Sequence, residues 1–174
     1  MKQIISLILA VCIASCAHVD IAVREEARRS APRSVLIGHF ENRVMDYNPF
    51  IVGNFRDFLA CEFFARGYTV RHLPPPDSGK DQPPDLLADG AAVQELALKQ
   101  DADLVIQGTV FEARYGDAVE DRISTAITLK LYNKTGGLVG TARFIARDTL
   151  ADAGAVRALS AKMVQAIHTK LSNE

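Results

Sequence analysis

The sequence of 174 residues has no tryptophan, only three cysteines, and no excess of either charge, with 20 basic and 21 acidic residues. This balance argues against a nucleic-acid-binding protein that works through a basic face. No Cys-x-x-Cys or His-x-x-x-His spacing signals a metal site. There is neither a Gly-x-Ser-x-Gly elbow nor a glycine-rich nucleotide loop. We therefore expect a non-enzymatic protein without metal or cofactor. An enzyme assembled from residues distant in sequence is the alternative left open.

The longest apolar run covers residues 4–14 and follows the basic start Met1-Lys2-Gln3. As a helix, about eleven residues span roughly 16 Å, whereas a bilayer core is about 30 Å thick. A short basic start, an apolar run and then small residues are the order of a secretory signal peptide. We predict a signal peptide over residues 1–15; the alternative is a buried N-terminal strand or helix of the domain.

The run ends in Ile13-Ala14-Ser15-Cys16, which resembles a bacterial lipobox. The resemblance implies that the chain is cut before Cys16, whose thiol carries diacylglycerol and whose new amine is acylated, typically with palmitate. Two or three acyl chains anchor a protein stably to a membrane. By the sorting rule of such lipoproteins, Ala17 in place of aspartate favours the outer membrane. We therefore expect a lipid-anchored outer-membrane protein that faces the periplasm.

The remaining cysteine, Cys61, has no partner for an intramolecular disulfide once Cys12 has left with the signal peptide and Cys16 carries lipid. Its place in an apolar helical pattern predicts a small core side chain rather than a reactive thiol. Residues 16–32 are charged and show little periodicity, so we predict a lipidated N-terminus and tether there. The globular domain is predicted over residues 33–174.

The mature chain alternates patterns of period 2 and period 3.6, which predict strands and helices in the order β-α-β-α-β-β-β-α. Strands joined through helices become parallel, and strands joined by hairpins become antiparallel. We therefore predict a single α/β (α+β) domain in which a mixed sheet packs against helices. The proline-rich residues 74–85 predict an exposed loop, with binding to a polyproline-reading partner as the alternative.

Three stretches carry a family resemblance: residues 35–43, 101–110 and 131–139. They resemble the opening strand, a later strand and the Thr-Gly hairpin of CsgG-like and LpoB-like bacterial lipoproteins, whose domain is similar to the amino-terminal domain of TolB. The resemblance implies a non-enzymatic interaction module in envelope assembly, of the LpoB-like regulator type. The alternative is a self-assembling, CsgG-like subunit of a secretion or transport machine. Because the sequence between residues 110 and 131 has room for one ordinary hairpin, a pore that needs two inserted hairpins is not favoured.

The polar side of the predicted hairpin strands carries Lys130, Tyr132, Arg143 and Arg147. Arginine and aromatic side chains are favoured at interfaces. We predict that these four residues form a docking surface for an envelope protein; a solvated sheet face is the alternative. The sheet edges are further candidates for contact by strand addition. Asp101 and Asp103 are predicted to lie in a solvated connection between a helix and a strand.

Overall fold

The computed structural model describes residues 18–43, 49–73, 90–115, 122–146 and 153–172. The strands are β1 (His18–Val23), β2 (Ser34–Arg43), β3 (Thr69–His72), β4 (Leu104–Tyr115), β5 (Arg122–Asn133) and β6 (Leu138–Ala146). The helices are α1 (Glu25–Ser30), α2 (Pro49–Ala65), α3 (Gly90–Lys99) and α4 (Ala153–Leu171).

The six strands form one sheet in the order β1-β6-β5-β4-β2-β3. Strand β2 is parallel to β3 and β4, from which helices separate it along the chain. The remaining neighbours are antiparallel, and residues 134–137 form the turn between β5 and β6. The predicted α/β domain with a mixed sheet is confirmed, and the strands at its two edges are β1 and β3.

The main hydrophobic core lies between one face of the sheet and the helices α2 and α4. Spacings of three and four place apolar residues on one side of each helix. Val52, Phe55, Leu59 and Phe63 of α2 are buried, and so are Val156, Leu159, Met163, Ile167 and Leu171 of α4. A smaller cluster lies on the other side of the sheet, where α3 covers Leu36, Val105 and Tyr132.

Cys61 is exposed, so the prediction that it is a core side chain is wrong. Successive residues of a helix are about 100° apart, which places Cys61 about 200° from the buried Leu59. The apolar composition of α2 on both sides concealed this difference. Phe64, next to the buried Phe63, is likewise 73% exposed.

The prediction of a tether over residues 16–32 is wrong for the residues that the structure describes. His18–Val23 pairs along its whole length with β6, and Ala27 of α1 belongs to the main core. Val19, Ile21 and Val23 alternate and pack against that core. The folded domain therefore begins at or before His18, two residues after Cys16. Cys16 itself lies outside the described residues, and its lipidation stays a prediction.

Asp103 lies in the predicted connection between α3 and β4, where it is only partly exposed and joins the beginnings of β2 and β4. Its Oδ2 atom accepts hydrogen bonds from the backbone N–H of Arg33 and Ser34 at 3.0 and 3.1 Å, and from the Ser34 hydroxyl at 2.9 Å. Burial opposes ionisation, but these hydrogen bonds and the nearby Lys134 hold the pKa of the Asp103 carboxyl below its ordinary value. Asp101, by contrast, is exposed as predicted.

None of the helices in the described ranges has the length and apolar character needed to cross a membrane.

Candidate functional site

The sheet has two faces, and the described helices cover them unequally. Residues directly opposite one another on paired strands share a face. The face opposite the main core, which we name the open face, is covered by α3 only where Leu36, Val105 and Tyr132 lie. Beyond α3, three rows of the open face run across four or five strands. Asp20 and Arg143 on these rows are exposed, whereas Gln107 is 1% exposed.

The rows follow from the strand register and are numbered from the end of the sheet at which β1 begins. The first row contains Arg43, Phe111, Ala126, Ile145 and His18; the second contains Glu41, Thr109, Thr128, Arg143 and Asp20; the third contains Gln107, Lys130, Thr141 and Ala22.

The first row differs from the other two in character. Phe111 and Ile145 are 47% and 44% exposed, and Ala126 lies between them on β5. The second row carries charges, with Arg143 directly opposite Asp20. Along β6 the open face therefore changes from apolar Ile145 to charged Arg143 within two residues.

An ion pair joins the first two rows at the β2 side. Arg43 Nε lies 2.6 Å from Glu41 Oε1, and the two side chains are 62% and 33% exposed. Exposed pairs of this kind contribute little to stability because water and salt screen them. Their effect is local, since they place a polar border beside the apolar part of the first row.

The structure brings two of the predicted docking residues together. Lys130 and Arg143 lie on the open face, at diagonal positions on neighbouring strands. Their role in docking stays a prediction. Arg147 lies outside the described residues.

Tyr132 is not available for docking, and its inclusion in the predicted surface is wrong. It is 8% exposed and packs in the small cluster with Val93 and Ala97 of α3. Burial raises the pKa of its hydroxyl. The alternation of β5 places Tyr132 on the same face as Lys130, but α3 covers that end of the face. The helix position depends on tertiary structure, which the strand pattern does not contain.

Sequence reasoning missed a second polar site, a pocket of ≈ 220 Å³ near the end of α4. Its wall includes Tyr68, whose hydroxyl shares a 3.0 Å hydrogen bond with His168 Nδ1. Arg66, at its rim, bonds Glu62 at 2.7 Å and Gln165 at 3.0 Å. Tyr68 and His168 are 100 residues apart, so no local spacing signals their contact.

The pocket groups connect three elements of the fold. Burial raises the pKa of Tyr68, which keeps its hydroxyl protonated. The tyrosine ring also meets the rings of Phe63 and His168 edge to face, so these groups hold α2, β3 and α4 together. Within the described ranges, no three His, Cys, Asp or Glu side chains are grouped so that they could hold a metal ion.

Comparison with known proteins gives structural neighbours only. No family model and no curated protein matches the chain. Among solved structures, the chain is similar to the PelC dodecamer from Paraburkholderia phytofirmans, with a TM-score of 0.57 and 19% identity over 90% of this chain and 97% of that chain. A variant of the same dodecamer gives a TM-score of 0.56 and 19% identity over 90% and 98%. Lipoprotein GNA1162 from Neisseria meningitidis gives 0.43 and 17% identity over 82% and 100%. The similarity to PelC shows a shared fold.

Proposed function

We propose that this chain is an outer-membrane lipoprotein whose domain acts as a non-enzymatic interaction module in bacterial envelope assembly. The observation that carries the proposal is the lipobox-like Ile13-Ala14-Ser15-Cys16, which follows an apolar run of signal-peptide length. The lipid on Cys16 holds the domain at the membrane, and the domain binds an envelope protein, in the manner of an LpoB-like regulator.

The fold supports an envelope role, because this chain is similar in structure to PelC over almost its whole length. The open face supports binding over catalysis. Lys130, which is partly exposed, and Arg143, which is exposed, are positioned there by two adjacent strands. Basic groups suit contact with a partner's acidic surface. The polar groups of the pocket, in contrast, are bonded to one another.

Labelling with radioactive palmitate in cells tests the anchor. We expect wild type to be labelled and Cys16→Ala to lose the label. Cys61→Ala is the matched control, because Cys61 is an exposed thiol of the folded domain and should leave the label unchanged. Label that persists in Cys16→Ala would refute the proposed lipid anchor.

Crosslinking of the full-length protein in living cells, followed by mass spectrometry, tests the interaction role. A heterologous envelope protein whose yield falls in the double variant Lys130→Glu and Arg143→Glu supports docking on the open face. Thr169→Glu on the exposed side of α4 is the control for added negative charge. Equal yields in both variants would place the docking surface elsewhere.

The second candidate function is a self-assembling subunit of an envelope secretion or transport machine. The observation that favours it is that the structural neighbour PelC forms dodecamers. Light scattering of the purified, lipidated chain in detergent distinguishes the two. One discrete large assembly supports the second candidate, and a monomer supports the regulator.

A further inference from the structure

The first row of the open face combines an apolar surface with the beginning of the folded chain. Phe111, Ala126 and Ile145 lie on three neighbouring strands, whose spacing is about 4.8 Å. Phe111 and Ile145 both expose more than two fifths of their surface. Their side chains therefore form one continuous apolar strip rather than two isolated exposures.

The N-terminus of the domain lies at the end of this same row. His18 is paired with Ile145, and Cys16 precedes His18 by two residues. Two residues of extended chain span at most about 7 Å. Anything attached to Cys16 is therefore held close to the apolar strip, and a flexible tether does not separate them.

The length of the central hairpin decides how the domain meets a surface at this end. Strands β4 and β5 continue for four residue pairs beyond Phe111 and Ala126, up to Tyr115 and Arg122, which is about 13 Å. A domain standing on its strand ends would push the hairpin end at Tyr115 and Arg122 into hydrocarbon before His18 came to the headgroups. Charged side chains are costly there. A domain that leans on its open face brings the first row to the surface instead.

We propose that Phe111 and Ile145 contact the headgroup layer of the membrane that holds the lipid on Cys16, with Arg43 beside the lipid phosphates. This inference rests on the proposed lipid anchor and adds the orientation of the domain. Side chains that insert at the interface reach about 5–10 Å into the boundary of headgroups and acyl chains. The acyl chains anchor the protein, and the first row fixes which edge of the open face lies at the bilayer, while Arg143 and Lys130 lie in the second and third rows. The far end of the open face, with α3, is then directed away from the membrane.

The absence of tryptophan from the sequence gives a direct test. Single tryptophans are introduced as Phe111→Trp, Ile145→Trp and, as control, Phe64→Trp. Phe64 is 73% exposed on α2, on the opposite side of the sheet. Each full-length, lipidated variant is reconstituted in vesicles of phosphatidylethanolamine and phosphatidylglycerol, with and without brominated acyl chains.

We expect emission from Phe111→Trp and Ile145→Trp to shift to shorter wavelength in vesicles and to fall about twofold with brominated lipid, as insertion at this depth requires. Emission from Phe64→Trp should stay unchanged. If the variants bind vesicles but brominated lipid does not quench the tryptophan at position 111 or 145, the inferred orientation is overturned. The proposed lipid anchor is not affected by that result. The emission could instead shift to shorter wavelength in detergent at high protein concentration, without quenching in vesicles. That result would show that the first row contacts a second copy of the chain, and it would also overturn the inference.

Failure of the anchor is recognised separately by mass spectrometry of the N-terminal peptide. A peptide without lipid on Cys16, from protein that does not sediment with vesicles, would overturn both the proposed anchor and the orientation that depends on it.

Discussion

The two faces of the central strands share one backbone and one ladder of hydrogen bonds, yet their side chains differ completely. On β5, Ile127 and Leu129 are fully buried against the helices, whereas Thr128 and Lys130, which alternate with them, lie on the open face. The difference comes from what covers each face, since α2 and α4 cover one and α3 covers only the end of the other. Antiparallel sheets commonly have this asymmetry. It separates the face that is packed against α2 and α4 from a face on which Asp20, Arg143 and Ile145 are exposed.

The largest expected effect contrasts neighbours on β5. Leu129→Ala removes a fully buried side chain and should lower the free energy of unfolding by about 2–5 kcal/mol. Thr128→Ala, on the open face, should change it by less than about 0.5 kcal/mol. Chemical denaturation of both variants measures the difference. Similar losses would contradict the assignment of the two faces.

Glycine substitutions compare a packed position with an open one by adding a methyl group instead of removing contacts. A Cβ at Gly108 would overlap the ring of Phe40 on the core face, so Gly108→Ala should destabilise the domain by about 1–3 kcal/mol. Gly53, on the exposed side of α2, has nothing within 4 Å of a Cβ. Gly53→Ala should therefore stabilise by about 0.4–1 kcal/mol. Thermal unfolding measures both changes in stability. Changes in the same direction in the two variants would refute this account.

Much of the architecture follows from local patterns, and the misses have physical causes. The 3.6-residue spacing of Phe55, Leu59 and Phe63 predicts the buried side of α2, and the alternation of β5 predicts its two faces. The edge strand β1 was missed because Val19, Ile21 and Val23 alternate over only three positions, next to a charged segment. That alternation is the signal that could have found it. Its pairing with β6 joins segments far apart in sequence.

The candidate site was only partly predictable for a related reason. Lys130 and Arg143 follow from strand alternation, but the cover over Tyr132 depends on where α3 packs. The apolar strip of the first row depends on register between strands that local patterns do not specify. The contact between Tyr68 and His168 joins two separate elements.

A third effect concerns Asp103, whose hydrogen bonds connect the beginnings of β2 and β4. Asp103→Asn should destabilise by about 1 kcal/mol, because a charged acceptor of three hydrogen bonds becomes a neutral group in a partly exposed place. Asp101→Asn, whose side chain is 96% exposed, should have no measurable effect.

The pH dependence of that third effect has a defined sign. The folded pKa of Asp103 is lower than the unfolded value, so its stabilisation is complete above the ordinary aspartate pKa of about 3.9. The stabilisation is lost as pH falls through the folded pKa. Unfolding curves of wild type and Asp103→Asn should therefore converge on acidification below about pH 4. A gap that widens there would contradict this role.

The smallest expected effect tests the solvent side of α2. Cys61→Ser should change stability by less than about 0.5 kcal/mol, since Cys61 is exposed. The wild-type thiol should react with a maleimide at the same rate in folded and unfolded protein, to within about tenfold. Strong protection in the folded state would show that a further surface covers this side.

The position of β1 also has a consequence for the order of events during folding. An edge strand from the beginning of the chain pairs with β6, which is synthesised near its end. Contacts of such long sequence separation form late. In a chain that emerges N-terminus first, β1 therefore has no partner until β6 has followed. This edge of the sheet is completed only when nearly the whole chain is present.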